Sequence, residues 1–550
     1  MTGELRTTEV DGVPVYWVPG EGRLRAGLWF RAGLADESLP THGWLHLLEH
    51  LALHDRGSIR VPVNGYVSML HTSFDVEGEP DDVTAFLQQV CQWVSAPDFG
   101  DLEHERRVLR AEGATRGAGA VATHLLWRYG AQGPGLAGYD EFGLHSADAA
   151  HLQSLARQVF TRGNAVLALT GPPPAGLRLP LNDGDRWPIR SAVPCDQPLP
   201  GGFAGRPGAV AVSGVLPRST AAAALTRALQ RGLEGGFRHG AGVGYSGWSS
   251  YELVDADHAM VTAGIDILPE ALPNVVRETT VVLRRLRDRG IDPADLRDDL
   301  EQELRRLKTE PTENWLPFLA ARDALYGRPP TDRDQLAAEV EAVTVADVRQ
   351  AARAMWNSLL LSVEPAGTGD PQLSWHTGPP PSRSVPTGQQ HKPVGSPVAK
   401  GTLVVGRSGA HVETAAGVTS ASYDELAAVI AYPDGGRLLI RRDGYQLPIE
   451  PTLWNRGQEA VATVDGAASA ALRVPMPARE PDEIPRPSVT WRQHAKYWLN
   501  NPVPWVAFVL ILLIVVTLTT TIPLSELASP GALGVLVVGA VMYLRERRSR

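Results

Sequence analysis

The sequence predicts an α+β protein: two similar α/β sandwich domains, then a small β-rich module and a C-terminal transmembrane helical hairpin. Three observations predict it. Strand-like and helix-like segments follow one another twice in the same order, over 8–171 and over 208–363. Each round closes with a helix and a short apolar strand, the pattern of a distant duplication. The stretch 366–400 is rich in Pro, Gly, Ser and Thr and reads as a flexible tether before a run of short strands. Finally, Val503 to Ile522 carries no charge and is long enough to span a bilayer, and Leu527 to Leu544 follows as a shorter second span. The expected boundaries are 1–190 and 200–366 for the two domains, 367–400 for a linker and 401–456 for the β-rich module. A second linker is expected at 457–500 and the hairpin at 501–546.

In the first domain, residues 8–32 read as a β-hairpin with Asp11-Gly12 as its turn signal. A polar loop, Ala35 to Pro40, leads into an apolar helix around Gly43–Leu51. Val61 to Val76 is strand material. Residues 80–98, 101–116 and 146–160 read as helices, the last with Ser146 as N-cap, and Gly163–Gly171 reads as a buried strand. Pro172 to Pro207 looks like a linker. The second domain then offers strands at 208–215, 260–267 and 358–363, with helices at 220–233, 273–289, 293–307 and 344–355. The strands Thr402–Gly406, Ala428–Tyr432 and Arg437–Ile440 belong to the small module, which suits a pleckstrin-homology-like barrel fragment or a docking module.

Composition bounds the function. The 550 residues have 43% hydrophobic and 21% charged content, ordinary for a globular protein. A net charge of −9 gives no reason to expect nucleic-acid binding. The only cysteines, Cys91 and Cys195, are too few for a disulfide framework and suit a reducing compartment. The N-terminus shows no cleavable signal peptide. Arg492, His494 and Lys496 precede the apolar runs, and Arg545, Arg547, Arg548 and Arg550 follow them. Both ends of the hairpin are therefore expected on the cytoplasmic side of a cell membrane, with the preceding domains facing the cytoplasm.

The chemistry sits in the first helix. His46, Glu49 and His50 form an H-x-x-E-H array, which puts both imidazoles and the carboxylate on one helical face. Two histidines one turn apart can hold one zinc ion (Zn2+), and the carboxylate between them can take a proton from water. The same pattern fits a helix with two partly buried histidines, and His42 and His54 extend the ladder at both ends. A hydrolytic zinc site needs a third ligand from another element. Glu105 and Glu112 stand two turns apart on the helix 101–116, with Glu112 the better ligand candidate and Glu105 placed to orient a histidine. The alternative is a solvated helix whose acids pair with Arg106, Arg107 and Arg110.

H-x-x-E-H followed by a helix with E-R-x-x-x-x-x-E resembles the inverzincin metallopeptidases, a family that includes pitrilysin, insulin-degrading enzyme and mitochondrial processing peptidase. Arg31 to Glu37, Val63-Asn64-Gly65-Tyr66 and His71-Thr72-Ser73-Phe74 look like the family's first domain. The gap from His50 to Glu112 is shorter than is usual there. In the second unit, Phe237 to Ser246 looks like the family's L-R-x-x-x-G-x-x-Y-S stretch, with Arg238 and Tyr245 in the positions that reach the substrate. The resemblance covers residues 8–365. It implies zinc on His46, His50 and Glu112, Glu105 behind a ligand, Glu49 as general base, and a peptide substrate added as a strand beside Thr72–Val76. Asn64, Thr72, Phe74, Arg238 and Tyr245 would contact that substrate. It further implies half of a clamshell, hence a homodimer in which each site takes Arg238 and Tyr245 from the partner; a heterodimer with a related chain is the alternative. The sequence is thus expected to encode a membrane-anchored zinc endopeptidase. Its rivals are a non-catalytic scaffold or binding protein of the same fold, and a sensor acting through 401–456.

Overall fold

The computed structural model describes residues 4–487, except 21, 55–60, 116–118, 239–243, 268–271, 365–371, 379–383, 395–400 and 415–416; side chains at 236–246 and 267–274 are likewise outside the description. The first unit contains strands β1 (Arg6–Val10), β2 (Val13–Trp17) and β3 (Leu24–Phe30), then helix α1 (Trp44–Leu53). Next come β4 (Val63–Val67), β5 (Thr72–Gly78), α2 (Pro80–Ser95), α3 (Leu102–Thr115), α4 (Ala120–Tyr129), α5 (Ala149–Val159) and β6 (Ala165–Leu169). The second unit has β7 (Gly201–Ala204), β8 (Ala209–Pro217), α6 (Thr220–Arg238), β9 (Gly244–Leu253) and β10 (His258–Ile267). It continues through α7 (Leu272–Arg289), α8 (Pro293–Thr309), α9 (Leu316–Leu325), α10 (Arg333–Glu341), α11 (Val345–Asn357), β11 (Leu360–Val363) and β12 (Ser374–His376).

The two units repeat one sheet. Their strand orders are β1-β2-β6-β3-β5-β4 and β12-β7-β11-β8-β10-β9. In each, the second and third strands run parallel and the next three connections are antiparallel. One face of the first sheet packs on α1, α2 and α5 through Leu28, Phe30, Leu47, Leu51, Phe74 and Phe86. The other face is covered by the second unit's α9, which lays Ala320, Ala321 and Leu325 against Val166 and Ala168. The exchange is reciprocal: α4 of the first unit enters the second sheet. There the imidazole of His124, fully buried, meets the Ser213 and Ser362 hydroxyls at 2.8 Å each, and Arg128 donates to Ser213.

That exchange carries a charge liability. Burial pushes the His124 imidazole down to about 3 and the His71 imidazole likewise. Each is neutral when folded and binds a proton near pH 6.5 when unfolded, so the unfolded chain holds more protons between those values. Stability is therefore full above pH 6.5 and drains as pH falls, by about 1.4 kcal/mol per pH unit for each such group. Urea unfolding at pH 7, 6 and 5 checks this, and a flat profile would exclude the buried neutral imidazoles.

Several expected boundaries shift. Ser146 is not the cap of α5; Asp148 is, accepting from the His151 N–H at 2.9 Å. β7 lies inside the stretch read as the linker 172–207, and β12 inside the supposed tether 367–400, where it pairs with β7. The third unit runs past 456. Its strands are β13 (Gln389–His391), β14 (Gly401–Val405), β15 (Gly409–Thr414), β16 (Gly417–Ser422), β17 (Leu426–Ala431), β18 (Arg437–Arg441) and β19 (Gln446–Ile449). Helix α12 (Gly457–Ala467) and β20 (Arg473–Pro475) complete it. Ala460, Val461 and Val464 of α12 join the core with Leu403, Leu439 and Ile449, so 457–467 is packed structure and not a linker. This unit is docked on the first. Ala428, Ile430, Ile440 and Val474 meet Leu39, Ala131 and Leu136, and the Ala131 N–H donates to the Arg442 carbonyl at 2.9 Å. Among the described residues no helix is long and apolar enough to cross a membrane; the runs 503–522 and 527–544 lie outside them.

Candidate metal centre

The loop before α1 is built to present that helix. Arg31, buried, pairs with Asp36 at 2.6 Å and donates to the Leu70 carbonyl, and the Gly33 N–H donates to Asp36. This fixes Glu37, whose carboxylate accepts from the Gly43 N–H and the Leu45 N–H, each at 2.9 Å. Those are orphan donors of a helix N-terminus, where a negative charge is also favoured by the helix dipole. Gly43 enters the helix at φ +97°, a left-handed conformation that suits glycine. Leu45, Leu47, Leu48 and Leu51 then bury the apolar faces.

What remains is the polar face. The Nε2 atoms of His46 and His50 lie 3.9 Å and 4.0 Å from one oxygen of Glu49, and the two rings meet edge to face at 4.9 Å. Ligand atoms of the three residues lie within 4.8 Å of one another. On its outer side, each ring is held by a carboxylate: His46 Nδ1 by Glu141 at 2.8 Å, and His50 Nδ1 by Glu105 at 3.0 Å. A proton on Nδ1 leaves Nε2 as a lone-pair donor, the arrangement that orients histidines for a metal ion. Two imidazole nitrogens fixed from behind suit zinc once another element adds a third ligand, and Glu49 stands beside them as an acid–base group.

Glu49 is 3% exposed. Burial pushes its carboxyl above the usual range, opposed by the nearby His50 and His46 and reinforced by the charges of Glu112 and Glu105. Burial also pushes Glu105 up, but hydrogen bonds from His50 and His54 outweigh it and hold that carboxyl below the usual range. The ladder of four histidines is thereby sorted. His42 lies outside the helix on Glu37, His54 ends the helix on Glu105, and only His46 and His50 converge on Glu49.

The other expected site residues divide. Glu112 stands half-buried on α3, close enough for Glu49 to feel its charge, but outside the His46–Glu49–His50 cluster. Thr72 and Phe74 are corrected: both are fully buried, Thr72 donating to the Ala32 carbonyl and Phe74 packing on Phe30 and Phe160. Their strand β5 is paired on both sides, by β3 and β4, so no peptide can add beside it. The strand at the sheet's end is β4, with Asn64 exposed on it. Arg238 ends α6 and Tyr245 is the second residue of β9, the corresponding end strand of the second sheet; their side chains lie outside the described residues.

Two features escaped sequence reasoning. Gly65 of β4 faces Glu49 so closely that an added Cβ would lie 2.2 Å from its Oε1. Glu141, the holder of His46, sits in a loop with no motif around it. Replacing Glu141 by Gln is expected to weaken zinc binding by about 10–100-fold with little change in folding, measured by competition with a chelator. A cavity of about 640 Å³ opens on the opposite face of β4 from α1. It is lined by Asn64, Tyr66, Trp315, Phe318 and Arg322 among others, so it is not the metal centre itself.

No protein-family model matches the sequence, and no curated protein matches it. Solved structures do. A protease from Helicobacter pylori is 15% identical, with 66% of this chain and 100% of that one covered at a TM-score of 0.54. The first half of the periplasmic protease PqqL from Escherichia coli is 13% identical, covering 66% and 92% at 0.50. A peptidase M16 inactive domain from Pseudomonas fluorescens is 15% identical, covering 65% and 97% at 0.53. The likeness is one of fold: this chain carries the mixed α/β architecture of an M16-type peptidase half, a pitrilysin-like fold.

Proposed function

We propose that this chain is a zinc endopeptidase that hydrolyses extended polypeptide segments. One observation carries the reading: two imidazoles with outer nitrogens held by Glu141 and Glu105 converge on a buried carboxylate beside a strand at the sheet's end. One of the similar folds is named inactive, so the fold alone does not separate peptidase from scaffold; the converged array favours the peptidase. When bound by His46, His50 and a third carboxylate, with Glu112 the candidate, zinc supplies Lewis acidity toward water and a peptide carbonyl.

The chain's own residues do the rest. Glu49 accepts the water's proton and passes it to the leaving amine, and burial raises that carboxyl above its ordinary range. A peptide pairs with β4, so its side chains alternate between the α1 face and the cleft lined by Trp315, Phe318 and Arg322. In the reading, a second copy closes the site with its Arg238 and Tyr245, and the 501–546 hairpin anchors the assembly with its peptidase units in the cytoplasm. The dimer rests on the resemblance and the anchor on the apolar runs and their basic flanks.

The test is zinc content together with peptide hydrolysis by residues 1–487. Truncation at 366 would strip the third unit from Leu39, Leu136 and the segment carrying Glu141. About one zinc per chain and chelator-reversible hydrolysis are expected. A metal-free, inactive protein would favour the scaffold.

A further inference from the structure

We propose a second divalent-cation site, built by His54, His104 and Glu105 at the junction of α1 and α3, that shares Glu105 with the first centre. His54 is the residue at which α1 ends, and Asp101, His104 and Glu105 stand at the start of α3. Ligand atoms of His54, His104 and Glu105 lie within 4.8 Å of one another. The two rings meet at 5.5 Å, and His104 Nε2 is 4.0 Å from Glu105 Oε1. With bonds of about 2.0–2.2 Å, ligand atoms around one zinc stand roughly 3.4 Å apart, so His104 must rotate inward and the His54 Nδ1–Glu105 Oε1 pair, 2.5 Å apart, must open to admit the ion. His104 has room to rotate, its side chain being 55% exposed, while Glu105 is fixed and buried.

The hydrogen-bond pattern says where the ion goes. Glu105 divides its oxygens: Oε2 holds His50 Nδ1, and Oε1 holds His54 Nδ1. An ion taking Oε1, His54 Nδ1 and His104 Nε2 replaces the proton shared between His54 and Glu105. His54 then carries its proton on Nε2, which faces the Asp101 carboxylate 3.6 Å away. A histidine ligand whose far nitrogen donates to a carboxylate is the usual support for a bound metal. The bland alternative is a solvated cluster of surface histidines around an acid. It explains His104 and Asp101, but not why one buried carboxylate should face two histidines with a third ligand in reach.

The shared carboxylate couples the sites. Positive charge on Oε1 draws density from Glu105 and weakens its pull on the His50 N–H. His50 becomes a poorer donor, and the first ion is held less tightly. Excess zinc should therefore slow the reaction; this effect rests on the peptidase reading, whereas the site itself does not.

Equilibrium dialysis of the full, tag-free chain against rising free zinc tests it. Two ions per chain are expected in the wild type, the second at least tenfold weaker. His104→Gln should stop at one, His46→Ala at one, and the double variant at none. Retention of the first ion in His104→Gln shows that the variant is folded. A wild type that saturates at one ion, or a His104→Gln chain that still takes two, overturns the site. A count lowered by His104→Gln but untouched by His46→Ala keeps this site and removes the first, so the two failures are distinct. Peptide hydrolysis should fall as the second ion binds to wild type and hold steady in His104→Gln; equal inhibition of both overturns the coupling.

Discussion

Glu49→Gln is expected to keep its zinc and to lose peptide turnover by about 10²–10⁴-fold, the usual contribution of a positioned general base. Glutamine preserves shape and still fits between the two imidazoles, which lie 3.9 Å and 4.0 Å from the carboxylate oxygen. It cannot take a proton. His46→Ala should behave differently and lose the ion of this centre, because one of two converging nitrogens is gone. The pair of variants separates binding from chemistry: metal analysis reads the first and kcat/KM the second. The wild-type pH profile adds a check. Burial raises the Glu49 carboxyl from its ordinary 4.5, so its proton-accepting form is lost at a higher pH than that of an exposed glutamate. Removing that carboxyl in Glu49→Gln should therefore change the acid limb of kcat/KM. Full activity in Glu49→Gln would falsify the mechanism.

Periodicity made the helix and its polar face legible, since 3.6-residue geometry alone puts His46, Glu49 and His50 together. Spacing alone does not choose among the four histidines, because His42 and His54 obey it too. What separates them is tertiary: Glu37 binds one, Glu105 the other, and these acids sit in elements whose docking no local pattern reports. Glu141 was illegible for the same reason, being a loop carboxylate 95 residues from the ring it holds. The duplicated sheet could be read from element order, but not the exchange of α4 and α9, because a helix buried on both sides by its own chain looks like any other apolar helix. The placing of substrate beside β5 failed on sheet order. Thr72–Gly78 has the alternating pattern of a strand, and only the hydrogen-bond register shows that β4 occupies the outside. The extension of the third unit past 456 is hidden because the stretch reads as a polar linker until the valines of α12 are seen against Leu439 and Ile449.

Gly65→Ala should lower kcat/KM by about 10²-fold while zinc content and the unfolding midpoint stay close to those of the wild type. A Cβ at Gly65 would lie 2.2 Å from Glu49 Oε1, 2.8 Å from its Cδ and 2.8 Å from Leu53 Cδ1. Gly65 sits within regular strand pairing opposite Phe74, so alanine meets no backbone penalty there; the conflict is purely steric. Either the carboxylate swings away from the histidines or the strand lifts from α1. His46 and His50 keep Glu141 and Glu105 in both cases, so the metal stays. The base and the peptide-bearing strand, however, lose their mutual position, and a displacement of about 1 Å at a reacting centre costs on the order of 10²-fold. Gly113→Ala on α3 is the control: nothing lies within 4 Å of its Cβ, and alanine favours the helix by about 0.5–1 kcal/mol. A Gly65→Ala enzyme with wild-type kcat/KM would show that β4 does not set the position of Glu49. Loss confined to Gly65→Ala would show why this strand carries no side chain there: a peptide paired with β4 lies about 4.8 Å beyond it, and Glu49 reaches that line only across a residue with no side chain.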